Sequence, residues 1–291
     1  MQMASHSLKA QATTFAAALL FALMAFFVKV LSAGIPAAEI LFIRAVISLL
    51  LIAAALTFVY RGKIRVHNLN MLVVRGVFGG FAVLLYFTAI SRIPLSSAAM
   101  LANSYPLFAI LFSAIIIKEK PNFDSLAVML LAFCGMFLIL DPRFGKIDIG
   151  YFLAISAAVI GGVAVTSIRE LRKTDSSWMI ALSQMVGAGI FSAVLLPAGF
   201  RVPDAGEWGL LLLVGILGTA AQLAFARPFR FIPTAEGSMV APIYTAFTVI
   251  LAVIFLGEVI TARFLLGAVL VFGSLSYLIA REEIRLRRNV L

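Results

Sequence analysis

Six side chains place ligand-binding groups inside long apolar runs: Arg44, Asn103, Tyr105, Gln184, Gln222 and Tyr244. A polar group in hydrocarbon is costly unless it finds a partner, so each of them needs a reason to be there. Arg44 can grip a carboxylate with two parallel N–H donors. Gln184 and Gln222 offer amides to the amine or carboxylate of a zwitterion, or equally to a neighbouring helix. Tyr105 and Tyr244 can stack on a ligand or gate a passage, and can also serve as interhelical hydrogen bonders. Asn103 precedes Pro106, whose missing N–H leaves the Ala102 carbonyl without its helical donor. Pro242 is expected to do the same to Ser238. Carbonyls freed at mid-depth are typical substrate contacts in transporters, with a simple packing kink as the alternative.

Charged candidates lie nearer the ends of the runs. Glu39 begins one run and Glu236 another. Either could act in coupling, Glu236 as a proton carrier, although a carboxylate at a helix N-terminus is also favoured by the dipole. Glu119 and Glu258 close two runs and read as structural or gating groups. Arg75 lies about four residues into its run and is expected to snorkel to the nearer surface, which leaves Arg44 as the better ligand group.

The elements that position these residues follow from composition. Of 291 residues, 63% are hydrophobic and 12% charged, with a mean hydropathy of +1.10. A soluble domain carries about 25% charge, so the chain reads as an integral membrane protein. His6, His67 and Cys134 are too few and too scattered for a metal site or a disulfide framework. There is no G-x-x-x-x-G-K-[ST] loop and no soluble segment long enough for a nucleotide domain, so neither a cofactor nor direct ATP drive is expected. An intramembrane enzyme would need H-E-x-x-H, a serine elbow or paired aspartates, and the sequence has none of them. The net charge of +10 is read as topology rather than nucleic-acid binding.

Ten apolar stretches are long enough to span a bilayer, near 11–31, 36–60, 70–91, 95–117, 122–140, 149–168, 177–197, 207–229, 235–256 and 261–280. With the N-terminus inside, the connections on the opposite side hold only Arg92, Arg143, Lys146, Arg201 and Arg263. The cytoplasmic segments, from Lys9 through the Arg61–Arg65 and Arg169–Lys173 stretches to Arg281–Arg288, hold three times as many. That bias predicts both termini in the cytoplasm. The basic tail Arg281–Arg288 is expected to rest on anionic lipid.

The chain also repeats itself. An offset of 139 residues pairs Gly76 with Gly215, Gly79 with Gly218, Ile93-Pro94 with Ile232-Pro233, Tyr105 with Tyr244 and Glu119 with Glu258. Each half then holds five spans, residues 1–145 and 146–291. Because that number is odd, two like-folded halves must enter the membrane from opposite sides. An inverted repeat gives a transporter two nearly equivalent faces for alternating access. Gly76-x-x-Gly79-Gly80, Gly215-x-x-Gly218, Gly161-Gly162 and Gly187-x-Gly189 would let helices approach closely.

Two runs sharpen the reading: Ile93-Pro94, Pro106 and Glu119 in the first half, and Ile232-Pro233, Pro242 and Leu256-Gly257-Glu258 in the second. With ten spans around them, they make the chain resemble the EamA-type drug/metabolite transporters over essentially its whole length. The first half departs at Lys118-Glu119-Lys120. The resemblance implies a basket of ten helices around a central cavity in a bacterial inner membrane. It also implies movement of a small metabolite without ATP, amino-acid export foremost; Glu236 makes protons a candidate coupling ion. A nucleoside, flavin or cationic drug is the alternative cargo; a cationic drug would want a buried carboxylate at mid-depth, and none is found.

Overall fold

The computed structural model describes residues 2–58, 66–116, 123–140, 148–196, 200–226 and 240–288. Glu119 and Glu236 lie outside these residues. In hydrocarbon every backbone N–H and C=O must be satisfied within the segment, which leaves helices as the solution for apolar runs of this kind. Among the described residues there are eleven: α1 (Gln2–Leu31), α2 (Ala37–Phe58), α3 (Leu69–Arg92), α4 (Leu95–Ala102), α5 (Tyr105–Ile116), α6 (Phe123–Leu140), α7 (Ile149–Thr174), α8 (Ser177–Leu195), α9 (Ala205–Ala226), α10 (Val240–Leu256) and α11 (Ala262–Arg288). Six of them, α1, α2, α3, α7, α8 and α9, are long and apolar enough to cross a membrane. Their outer faces expose large apolar side chains such as Leu50, Phe58, Ile190 and Val194, as lipid contact requires.

Local chemistry sets the helix ends. Asn68, Asp148 and Ser176 each accept a hydrogen bond from a backbone N–H in the following first turn, of Met71, Gly150 and Met179 respectively. The predicted fourth span is two helices. It breaks at Asn103–Ser104, where the Ser104 hydroxyl donates to the Leu101 carbonyl at 2.6 Å, just before Pro106. Pro242 lies near the start of the described part of α10, and Ser238, whose carbonyl it is expected to free, lies outside the described residues.

Most of the packing runs between the first and second parts of the chain. Helix α3 lies on α7 and α8, α1 on α9 and α10, α2 on α8 and α9, and α4 and α5 on α7. Helices α6 and α11 pair with each other, with Gly135 and Gly267 meeting backbone to backbone. The α3–α8 crossing is equally close, because a Cβ on Gly187 would collide with the Gly76 backbone.

Candidate substrate-binding cavity

Between these crossings lies a cavity of about 140 Å³. Arg44, Asn103, Tyr105, Gln184, Gln222 and Tyr244 all line it. Arg75 does too, against the expectation that it would snorkel. It is 3% exposed and lies against the second half of the chain rather than lipid. Its guanidinium donates to Gln184 Oε1 at 2.5 Å and to the Ala164 carbonyl at 3.3 Å. Snorkelling needs a side chain that faces lipid, and α3 turns this one toward α7 and α8.

Arg44 is held differently. It is 2% exposed, and its guanidinium carbon stands 5.4 Å from the centroid of the Phe87 ring, within cation–π range. Its Nε has no hydrogen-bond partner among the described residues. Gln222, from α9, is likewise buried with Nε2 unpartnered. Room for Arg44 is made by Gly218, where a Cβ would lie 2.6 Å from Arg44 Nε. Gly79 does the same for Arg75, with 3.3 Å between a built Cβ and Arg75 Nη1. These two glycines are partners in the 139-residue register. Among the described residues, the cavity lining contains two guanidinium groups and no carboxylate.

The remaining wall is aromatic and amide. The Tyr244 and Tyr86 hydroxyls share a hydrogen bond of 2.6 Å, and Asn103 Nδ2 donates to Thr245 Oγ1 at 3.0 Å. That second bond ties the α4–α5 break to α10. Sequence reasoning missed Tyr86 and Thr245. An aromatic or a threonine in an apolar run gives no signal of its own, although the repeat register sets Tyr86 against Phe225, which also lines the cavity.

Two of the acidic candidates lie away from the cavity lining. Glu258 accepts from Leu95 N at 2.5 Å, from Ser96 N at 3.0 Å and from the Ser96 hydroxyl at 2.5 Å, which caps α4. Lys29, from α1, donates to the Ile90 and Ile93 carbonyls at 2.8 and 2.9 Å. The corner at Ile93–Pro94 therefore carries a cation on the outgoing helix end and an anion on the incoming one. Glu39 is 1% exposed and accepts from Arg201 N at 2.9 Å, while Arg201 also bridges to Glu207 and to the Gly34 carbonyl.

The comparisons agree with this architecture. The model of the EamA-like transporter family matches twice, over residues 8–141 and 148–280. The pseudopaline exporter CntI of Pseudomonas aeruginosa is 33% identical over 211 residues, covering 72% of this chain and 74% of that protein. A riboflavin transporter of Vibrio cholerae is 23% identical over 262 residues, covering 88% and 87%. Human solute carrier family 35 member G1 is 24% identical, covering 90% and 76%. A solved crystal structure shares the fold at a TM-score of 0.65 and 20% identity, over 95% of this chain and 97% of that one. An integral membrane chain built on a buried cavity and matched along both its halves, this protein belongs to the EamA-like transporter family of the drug/metabolite transporters.

Proposed function

We propose that the chain exports a small amino-acid-like metabolite by alternating access between two inverted five-span repeats, residues 1–145 and 146–291. Ten spans in a bacterial inner membrane, with both termini in the cytoplasm, complete the reading. The exchange pattern of the helix packing supports the repeat. Helix α3 meets α7 and α8, and the register-equivalent α9 meets α1 and α2. The double family match and the three-to-one bias of basic residues support it too.

One observation carries the cargo class. Arg44 is a buried cation, facing a cavity, with an N–H that nothing among the described residues accepts. Burying an unpaired charge is expensive, and a ligand carboxylate is the natural acceptor. The similarity to a pseudopaline exporter favours outward movement. Counterflow in proteoliposomes, preceded by thermal-shift screening, tests this. Amino acids should shift the melting temperature and exchange across the bilayer, whereas shifts confined to nucleosides or flavins would overturn the reading.

A second reading has its own support. Six aromatic residues, Phe21, Tyr86, Phe87, Tyr105, Phe225 and Tyr244, line the cavity. They suit a ring compound, and a riboflavin transporter is among the relatives. Organic cations are disfavoured by the two arginines. For coupling, Glu39 and Glu258 are engaged with backbone donors, which leaves Glu236 as the proposed proton carrier and Glu119 as a gating group. Glu236→Gln should abolish any stimulation by a proton gradient while leaving counterflow intact.

A further inference from the structure

We infer that the cargo carries two carboxylates, one for each arginine. This rests on the carboxylate reading above and narrows it. The cavity holds two guanidinium groups that stay protonated at any physiological pH. Both are nearly free of solvent, at 2% and 3% exposure. Neutral groups satisfy part of Arg75, the Gln184 amide oxygen and the Ala164 carbonyl, but they cancel none of its charge. The Nε–H groups of both Arg44 and Arg75 have no partner among the described residues. No aspartate or glutamate among the described residues lines the cavity. A zwitterion with a single carboxylate would leave the occluded site with its full excess of positive charge. A dicarboxylate without an amine neutralises it, and an amino dicarboxylate halves it.

The geometry gives each charge its own place. Arg44 is accommodated over Gly218 and Arg75 over Gly79, two glycines that pair in the 139-residue register. The two subsites are built differently: Arg44 reaches across to Gly218 of α9, with Gln222 one helical turn beyond it, whereas Arg75 lies over Gly79 of its own helix and is bonded to Gln184. A ligand with carboxylates at both ends matches a site of this kind. Between them, the amide and tyrosine oxygens of Asn103 and Tyr244 can accept from an amine.

The test compares probes that differ by one carboxylate: L-glutamate against L-glutamine, and succinate against its half-amide succinamate. Binding to purified full-length protein is read by thermal shift, and exchange by counterflow. The dicarboxylate of each pair should bind about 10- to 100-fold more tightly, the range of one charge-assisted hydrogen-bonded pair. Arg75→Gln should remove most of that preference, and Arg75→Lys should restore part of it. Equal binding of the two members of each pair to the wild type would overturn the proposal and leave amino-acid export standing. Absence of binding by every amino acid and dicarboxylate would overturn both. The wild-type comparison needs no variant, so a variant that fails to fold does not affect it. Glu236→Gln is the remaining control. If that variant creates a dicarboxylate preference that the wild type lacks, Glu236 is the counter-charge and the proposal fails.

Discussion

The seam between α3 and α8 and the seam between α2 and α9 are built from the same parts and finished differently. Each brings an arginine of the first half to a glutamine-bearing helix of the second, over a glycine that clears the space. At the first seam the pair is joined: Arg75 donates to Gln184, and the backbones touch at Gly76 and Gly187. At the second, Arg44 Nε and Gln222 Nε2 have no partner among the described residues. Buried polar groups are ordinarily satisfied, and the exceptions tend to have functional reasons. The joined seam is a structural element that also faces the cavity. On the proposed reading a ligand carboxylate completes the open seam, and the joined seam supplies the second cation.

The sharpest way to break this contrast is to remove each cation in turn. Arg44→Gln should reduce counterflow about 100-fold, the cost of a lost bidentate carboxylate contact. Its melting temperature should hold or rise, because an uncompensated buried charge has been removed. Arg75→Gln should lower stability by about 1–3 kcal/mol as its bonds to Gln184 and Ala164 are lost. Equal thermal shifts in the two variants would erase the distinction between the seams.

Smaller effects test the glycines. Gly218→Ala puts a Cβ within 2.6 Å of Arg44 Nε and should cost about tenfold in counterflow by misplacing the guanidinium. Gly79→Ala, with contacts at 3.3 Å, should cost less. Away from the seams, Glu258→Gln weakens the cap on α4 and should lower stability by about 1 kcal/mol without changing substrate ranking. Thr245→Val removes the acceptor of Asn103 Nδ2 and should alter KM by a few-fold at most.

Much of the cavity could be read from residue types, because hydrocarbon tolerates few polar groups. Arg44, Gln184, Gln222 and Asn103 stood out for that reason, and all of them line one space. The break at Asn103–Ser104 was legible through Pro106. Arg75 was misjudged because depth along a span says nothing about which way a side chain faces. Tyr86 and Thr245 were invisible for a different reason, since their types are common in apolar helices and only a partner across the cavity gives them a role. The roles of Lys29 and Glu258 at the Ile93–Pro94 corner depend on helix ends brought together from distant parts of the chain, which spacing alone does not reveal.

Both guanidinium groups of the cavity come from residues 2–140, and both glutamines from residues 148–288. A carrier assembled from two separate copies of the first part would present each arginine twice and neither glutamine. One assembled from two copies of the second part would present no cation at all. Neither could rebuild this lining, so the site as it stands needs one copy of each part.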